Sequence, residues 1–232
     1  MKTLVIMPTY NEIESLEGSV LALRKLAEQI DLLIVDDNSP DGTGQLADSL
    51  KNKTTYVLHR STKDGLGAAY LDAFGWAISN GYDLIVQMDA DGSHLAKDLP
   101  RLLAQSQNAD LVIGSRWVPG GSVENWPWYR KGISQIGNFY ARFMLRSKAH
   151  DMTAGYRVYK ATFLKTLDLG GVASRGYAFQ VEMTLRTMRA GGVIVEVPIT
   201  FVERIQGASK MTTAIVLEAL WLVTKWAFYK SA

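Results

Sequence analysis

The 232-residue sequence has no cysteine, which excludes a disulfide scaffold, thiolate zinc ligation and a cysteine nucleophile. Its N-terminus lacks the apolar core of a signal peptide: the short run Leu4–Met7 is cut off at once by Pro8, so the expected compartment is the cytoplasm. Internal repeats, low-complexity tracts and flexible linkers are absent. No G-x-G-x-x-G and no Gly-rich run ending in Lys-Ser/Thr follows the first apolar segment, so neither a dinucleotide fingerprint nor a P-loop is present. What is there is an ordinary globular mix, 47% hydrophobic and 21% charged, which argues against disorder and coiled coil.

The net charge of +2 conceals a division. Residues 1–110 hold 9 Lys+Arg against 16 Asp+Glu, and residues 111–232 hold 16 against 7, giving −7 and +9. An acidic front half suits metal cations; a basic back half suits phosphates or an anionic membrane surface. Thr3–Met7, Leu32–Val35, Thr55–His59, Leu84–Met88 and Leu111–Gly114 are apolar on both faces and predict buried strands. Helical periodicity covers Glu12–Gln29, Thr43–Leu50, Leu66–Ser79 and Lys97–Gln107 between them. This alternation predicts an α/β fold with a mostly parallel sheet, helices on both faces, and ligands at the carboxyl ends of the strands.

Carboxylates gather at those ends. The second strand runs into Asp36-Asp37-Asn38-Ser39-Pro40-Asp41-Gly42-Thr43, where a turn and a helix cap need one carboxylate rather than three. The fourth runs into Met88-Asp89-Ala90-Asp91-Gly92-Ser93-His94. In an extended segment Asp89 and Asp91 point the same way, and two carboxylates that close repel unless a cation lies between them. Hard oxygen ligands point to Mg²⁺ or Mn²⁺. His94 is a further candidate ligand, with packing as the equally simple alternative.

Ile6-Met7-Pro8-Thr9-Tyr10-Asn11-Glu12, Val35–Thr43 and Met88-Asp89-Ala90-Asp91 together resemble glycosyltransferase family 2 on the GT-A fold, and more narrowly the dolichol/polyprenol-phosphate mannosyltransferases. The likeness continues through Gly114–Trp117, Asn125–Ser134, Asp151–Arg157 and Arg204–Lys210, nearly the whole chain. It implies one catalytic unit over 1–232: a nucleotide-sugar and metal part (1–115), an acceptor part (116–210) and a C-terminal amphipathic helix (211–232). Pro8, Tyr10, Glu12, Val35 and Asp37 would hold base and ribose. Asp89, Ala90 and Asp91 would meet metal and diphosphate, and Arg204 with Lys210 would stabilise the diphosphate. Arg116, Arg130 and Ser134 would receive the lipid phosphate. Several relatives place Gln two residues after the second Asp; Ser93 stands there instead, as a weaker metal ligand or beside a water.

The implied reaction is inverting, metal-dependent transfer of mannose from GDP-mannose to a polyprenyl or dolichyl phosphate. The implied catalytic set is Asp89, Asp91, Arg116, Arg130 and Arg204. A family 2 enzyme with UDP-glucose as donor or a saccharide as acceptor is the nearest alternative. A nucleotidyltransferase would want a Gly-rich loop after the first strand, and a non-catalytic membrane module would leave Asp37, Asp89 and Asp91 without a purpose. No nucleic-acid partner is expected.

Asn125–His150 contains no acidic residue but holds Arg130, Lys131, Arg142, Arg146 and Lys148. Ile133, Ile136, Tyr140 and Phe143 fall on one helical stripe there, the profile of a helix lying in a membrane interface, with Trp117, Trp126 and Trp128 as headgroup-level rings. Met211–Tyr229 predicts a second amphipathic helix, with Val216, Leu220, Val223 and Ala227 opposite Glu218 and Lys225, too charged for a comfortable membrane span. The protein is therefore expected at the inner face of the membrane as a peripheral enzyme, with a separate protein as the candidate anchor. Two weaker features remain: the loop Lys63–Ala68 opening a helix, and Gln180 with Glu182, of which one could reach sugar hydroxyls while Glu182 better suits a salt bridge.

Overall fold

The computed structural model describes residues 1–174, 176, 178–203 and 213–228. Strands β1 (Thr3–Thr9), β2 (Asp31–Asp36), β3 (Thr55–His59), β4 (Leu84–Gln87) and β5 (Leu111–Ser115) stand where the apolar runs predicted them. Helices α1 (Leu16–Leu26), α2 (Thr43–Ser49), α3 (Leu66–Ser79) and α4 (Leu99–Gln105) connect them. The helix predicted from Glu12 begins later, because Glu12–Ser15 forms a turn in which Ser15 Oγ donates to Glu12 Oε2 at 3.0 Å.

The second half adds β6 (Ser122–Glu124), α5 (Trp128–Leu145), β7 (Arg157–Lys160), α6 (Ala161–Leu164), α7 (Ala178–Arg189), β8 (Ile194–Pro198), β9 (Thr200–Val202) and α8 (Thr213–Phe228). The main sheet runs β3-β2-β1-β4-β7-β5-β8. Every pair is parallel except those of β7, which lies antiparallel between β4 and β5. A two-stranded parallel sheet, β6-β9, stands beside it.

Alternate residues of each central strand feed two separate cores. Leu4, Ile6, Leu33, Val35, Ile85 and Ile113 pack with Tyr70 and Phe74 of α3, Ala141 of α5, Phe179 of α7 and Val223 of α8. Val5, Met7, Leu32, Ile34, Val86 and Val112 pack with α1 and α4 on the other face. Each such side chain taken from water stabilises the fold by ~1.5–3 kcal/mol. The chain passes from β1 to β2 and β3 on one side and to β4 on the other, so the strand order reverses between β1 and β4. In an open α/β sheet the crevice at that reversal is the preferred ligand site.

Candidate active site

A cavity of about 590 Å³ opens at the carboxyl ends of β1 and β4. Pro8, Tyr10, Glu12 and Asp37 form one wall, Asp89, Ala90, Asp91 and Ser93 the floor, and Arg116, Arg130, Ser134 and Gln180 the remainder, while Val216, Leu220 and Val223 of α8 cover it. Eleven of the fourteen residues that the resemblance assigns to donor, metal and acceptor thus line one cavity, and Gln180 joins them. Val35 lies in the core beneath it. Arg204 and Lys210 lie outside the described residues. A second, open depression of about 620 Å³, walled by Arg60, Asp64, Asp72 and Trp76, contains none of the paired carboxylates at the strand ends.

The acidic turn after β2 divides its labour. Asp36 accepts from Thr9 Oγ1 (3.1 Å), Ser39 N (3.1 Å) and Ser39 Oγ (2.6 Å). Asp41 accepts from Thr43 N (3.0 Å), Thr43 Oγ1 (2.6 Å) and Ile13 N (3.3 Å), and these bonds hold its carboxyl below the ordinary range although burial acts the other way. Two of the three carboxylates are therefore structural. The third, Asp37, faces the cavity and accepts from Arg60 Nη1 at 2.5 Å, while Arg60 Nε donates to Asp72 Oδ2 at 2.7 Å. Burial raises the Asp37 pKa more than Arg60 lowers it. Arg60 was not singled out in the sequence; only its contact across 23 residues reveals that it fixes the Asp37 carboxylate.

The floor is held by backbone. Asp89 N donates to His94 Nδ1 at 2.9 Å, Ser93 N to Asp91 Oδ1 at 3.0 Å, and Ser19 Oγ to Ala90 O at 2.8 Å. His94 is thus an acceptor at Nδ1, stacked on Tyr156 with ring centroids 5.0 Å apart. It is a packed residue that sets the carboxylate loop. Gly155 permits this, because a Cβ there would stand 3.2 Å from the His94 ring and 3.5 Å from Asp89 Oδ2. Burial pushes the Asp89 pKa up, His94 opposes that, and Asp91 and Glu12 add to it.

This donor set fits a divalent cation of the oxygen-seeking kind. Asp89 and Asp91 repel one another, and Ser93 Oγ is buried without a hydrogen-bond partner among the described residues. Among the described residues no three His, Asp or Glu side chains converge on one point. Two carboxylates can suffice for Mg²⁺ or Mn²⁺, which keep waters and share substrate phosphates rather than filling a protein cage.

At the other end of the cavity the two arginines differ. Arg116 is 8% exposed and already committed: Nε and Nη2 each donate to Asp151 at 2.7 Å, its backbone N does so at 3.0 Å, and Nη2 reaches Thr153 Oγ1 at 2.9 Å. A guanidinium so engaged in a buried bidentate pair shapes the wall more than it offers a fork to an incoming phosphate. Burial would raise Asp151, but Arg116's charge and hydrogen bonds prevail and hold it low. Arg130 is less buried; its guanidinium sits 4.3 Å from the Trp126 ring centroid and donates to the Glu203 carboxylate at 2.5 Å. Fully buried Arg157 completes the frame by donating to the Ala154 carbonyl (2.7 Å) and the Met152 carbonyl (2.8 Å), so it holds the loop that carries Asp151.

Glu182 makes the structural contacts expected of it, accepting from Ser174 N (3.1 Å) and Arg186 (3.0 and 2.8 Å). The interfacial stripe of α5 needs correction. Tyr140 turns inward and its hydroxyl lies 2.6 Å from Thr224 Oγ1 of α8, while Phe139, not part of the predicted stripe, is 68% exposed. Ile133, Ile136, Phe139 and Phe143 form the exposed face, with Phe139 and Phe143 stacked. Trp128 is exposed, whereas Trp126 is buried against Phe201 and so cannot be a headgroup-level ring. Helix α8 packs on α5 and α7 through Val223, yet Leu217, Trp221 and Phe228 are exposed, so it is apolar on two faces. No helix among the described residues is long and apolar enough to cross a membrane.

The profile of glycosyl transferase family 2 matches residues 4–168. The chain is 55% identical over 228 residues to an undecaprenyl-phosphate mannosyltransferase of Micrococcus luteus, covering 97% of this chain and 94% of that one. It is 50% identical over 229 residues to a polyprenol monophosphomannose synthase of Mycolicibacterium smegmatis, covering 97% and 86%. Among solved structures, glucosyl-3-phosphoglycerate synthase of Mycobacterium tuberculosis, crystallised with Mn²⁺, UDP and glucosyl-3-phosphoglycerate, superposes with a TM-score of 0.68 at 17% identity, over 97% of this chain and 78% of that one. That likeness concerns the fold, which is the GT-A-like α/β architecture expected from the sequence. With a profile spanning most of the chain and relatives alike over nearly all of it, the protein belongs to glycosyl transferase family 2.

Proposed function

We propose that the chain transfers mannose from GDP-mannose to a polyprenyl or dolichyl phosphate at the cytoplasmic face of a membrane, with inversion at the anomeric carbon. The observation that carries this reading is the joining of two chemistries in one cavity: a carboxylate floor at Asp89 and Asp91, and Arg130 with Ser134 on a helix whose outer face is apolar. The names of the mannosyltransferase relatives agree with it. In this reading residues 1–115 serve the donor, 116–210 the acceptor, and 211–232 the membrane side.

Asp37, steadied by Arg60, would accept hydrogen bonds from the nucleoside beside Pro8, Tyr10 and Glu12. Asp89 and Asp91 would hold Mg²⁺ or Mn²⁺, with Ser93 Oγ or a water beside them; the bound ion supplies charge neutralisation to the departing diphosphate. Arg204 and Lys210 would add to that. Arg130 would take the acceptor phosphate, exchanging the Glu203 carboxylate for a dianion, with Arg116 behind it. A phosphate monoester is largely dianionic near neutrality, its second pKa being ~6, so its oxygen attacks without a general base. The new bond joins that oxygen to the anomeric carbon as the bond to the nucleoside diphosphate breaks on the opposite face. The protein's share is positioning and electrostatics.

The test is an assay of purified protein with Mn²⁺, polyprenyl phosphate, and radiolabelled GDP-mannose or UDP-glucose in parallel. Lipid-linked label from GDP-mannose, absent with the dephosphorylated polyprenol and with inverted configuration by NMR, is expected. Equal or greater transfer from UDP-glucose, or equal transfer to polyprenol, would overturn the assignment.

A further inference from the structure

Gln180, the third residue of α7, is 4% exposed and lines the cavity, and among the described residues neither Oε1 nor Nε2 of its carboxamide has a hydrogen-bond partner. Its neighbours on the helix are satisfied: Glu182 holds Ser174 and Arg186, and Thr184 Oγ1 donates to the Gln180 carbonyl at 2.9 Å. A buried amide left unpaired destabilises the fold, and in a cavity wall it marks groups reserved for a ligand.

The first turn of α7 is also keyed to the carboxylate floor. Phe179 stacks on Tyr70 with centroids 5.9 Å apart and an interplanar angle of 5°, and the Tyr70 hydroxyl lies 3.5 Å from Asp89 Oδ1. Gly67 makes the fit possible, since a Cβ there would stand 2.4 Å from the Ser174 carbonyl oxygen. Gln180 is therefore held in fixed relation to Asp89 by packed rings rather than by a loop.

The chemistry of a carboxamide narrows the ligand. It offers one acceptor and two donors without charge, which matches the hydroxyls of a sugar, each both donor and acceptor. A diphosphate or lipid phosphate calls for the cations that the cavity carries elsewhere, at Lys63, Arg116 and Arg130. We infer that Gln180 reads the hydroxyls of the donor hexose and sets sugar selectivity. This rests on the reading that the substrate is a nucleoside-diphosphate hexose, and deepens it.

The experiment compares wild type with Gln180→Met, which keeps volume, and Gln180→Ala. Affinities for GDP and for GDP-mannose are measured in Mn²⁺ by calorimetry, alongside kcat/KM for GDP-mannose and the melting temperature. Loss of two neutral hydrogen bonds should lower kcat/KM roughly 10–100-fold, with GDP affinity kept within about twofold. The Gln180→Met variant should melt no lower than wild type, because an apolar side chain of similar size replaces an unpaired amide. Unchanged kcat/KM, an equal loss of GDP and GDP-mannose affinity, or a marked fall in melting temperature of the Met variant overturns the inference. If wild type ignores GDP-mannose and turns over UDP-glucose, the functional assignment fails. The UDP and UDP-glucose pair then tests Gln180 by the same criteria.

Discussion

Replacing Asp151 with Asn removes one half of a pair in which Asp151 is fully buried and Arg116 nearly so. The lost carboxylate accepted three hydrogen bonds from Arg116 and one from Thr153 Oγ1 at 3.2 Å, and the guanidinium stays behind without its counter-charge. Breaking a buried pair in this way costs ~3–5 kcal/mol. For a chain of this length each kcal/mol moves the melting temperature by ~2–4 °C, so a fall of roughly 6–20 °C is expected. Because Arg116 holds Asp151 below its ordinary pKa, the pair's contribution is present above the unfolded value of ~3.9 and fades as pH drops through the folded one. Urea unfolding of wild type and Asp151→Asn from neutrality down to about pH 2.5 should therefore show a gap that closes on the acid side. The double variant Arg116→Met, Asp151→Leu should recover much of the loss, since no buried charge remains. A gap under about 1 kcal/mol at neutrality, or one that persists unchanged into acid, refutes the account of this pair.

Asp89→Ala or Asp91→Ala should abolish transfer while leaving apo stability near wild type, because each removes one of two mutually repelling carboxylates, and burial already disfavours the charged form of Asp89. Full activity in either variant, or in excess EDTA, would sink the metal assignment. For the membrane face, Phe139→Ser with Phe143→Ser removes two exposed rings, each contributing ~1.5–3 kcal/mol when buried, so liposome binding should weaken more than tenfold. Arg142, Arg146 and Lys148 to Gln should reduce binding to anionic vesicles and its salt sensitivity, at ~1 kcal/mol per charge. Unchanged co-sedimentation of both variants would show a merely solvated surface.

The sequence by itself determined the front half of the fold. Runs apolar on both faces, such as Leu32–Val35 and Leu84–Met88, can only be strands inside a covered sheet, and Leu66–Ser79 kept its predicted limits as α3. It also determined the carboxylates at the ends of β2 and β4, because the spacing of Asp89 and Asp91 is a local property of extended chain. It did not reveal β7, a four-residue antiparallel strand inserted between β4 and β5, since pairing with two distant strands leaves no periodic mark in so short a segment. The same limit hid Arg60 behind Asp37 and separated Asp36 and Asp41 from Asp37 only in three dimensions. Tyr140 and Phe139 exchanged roles because α8 packs beside α5 and draws one hydroxyl inward. A helical wheel cannot register a neighbour 84 residues away. Which carboxylate pairs with a buried arginine, and which amide is left unpaired in a cavity wall, are long-range contacts, and only the tertiary structure decided them.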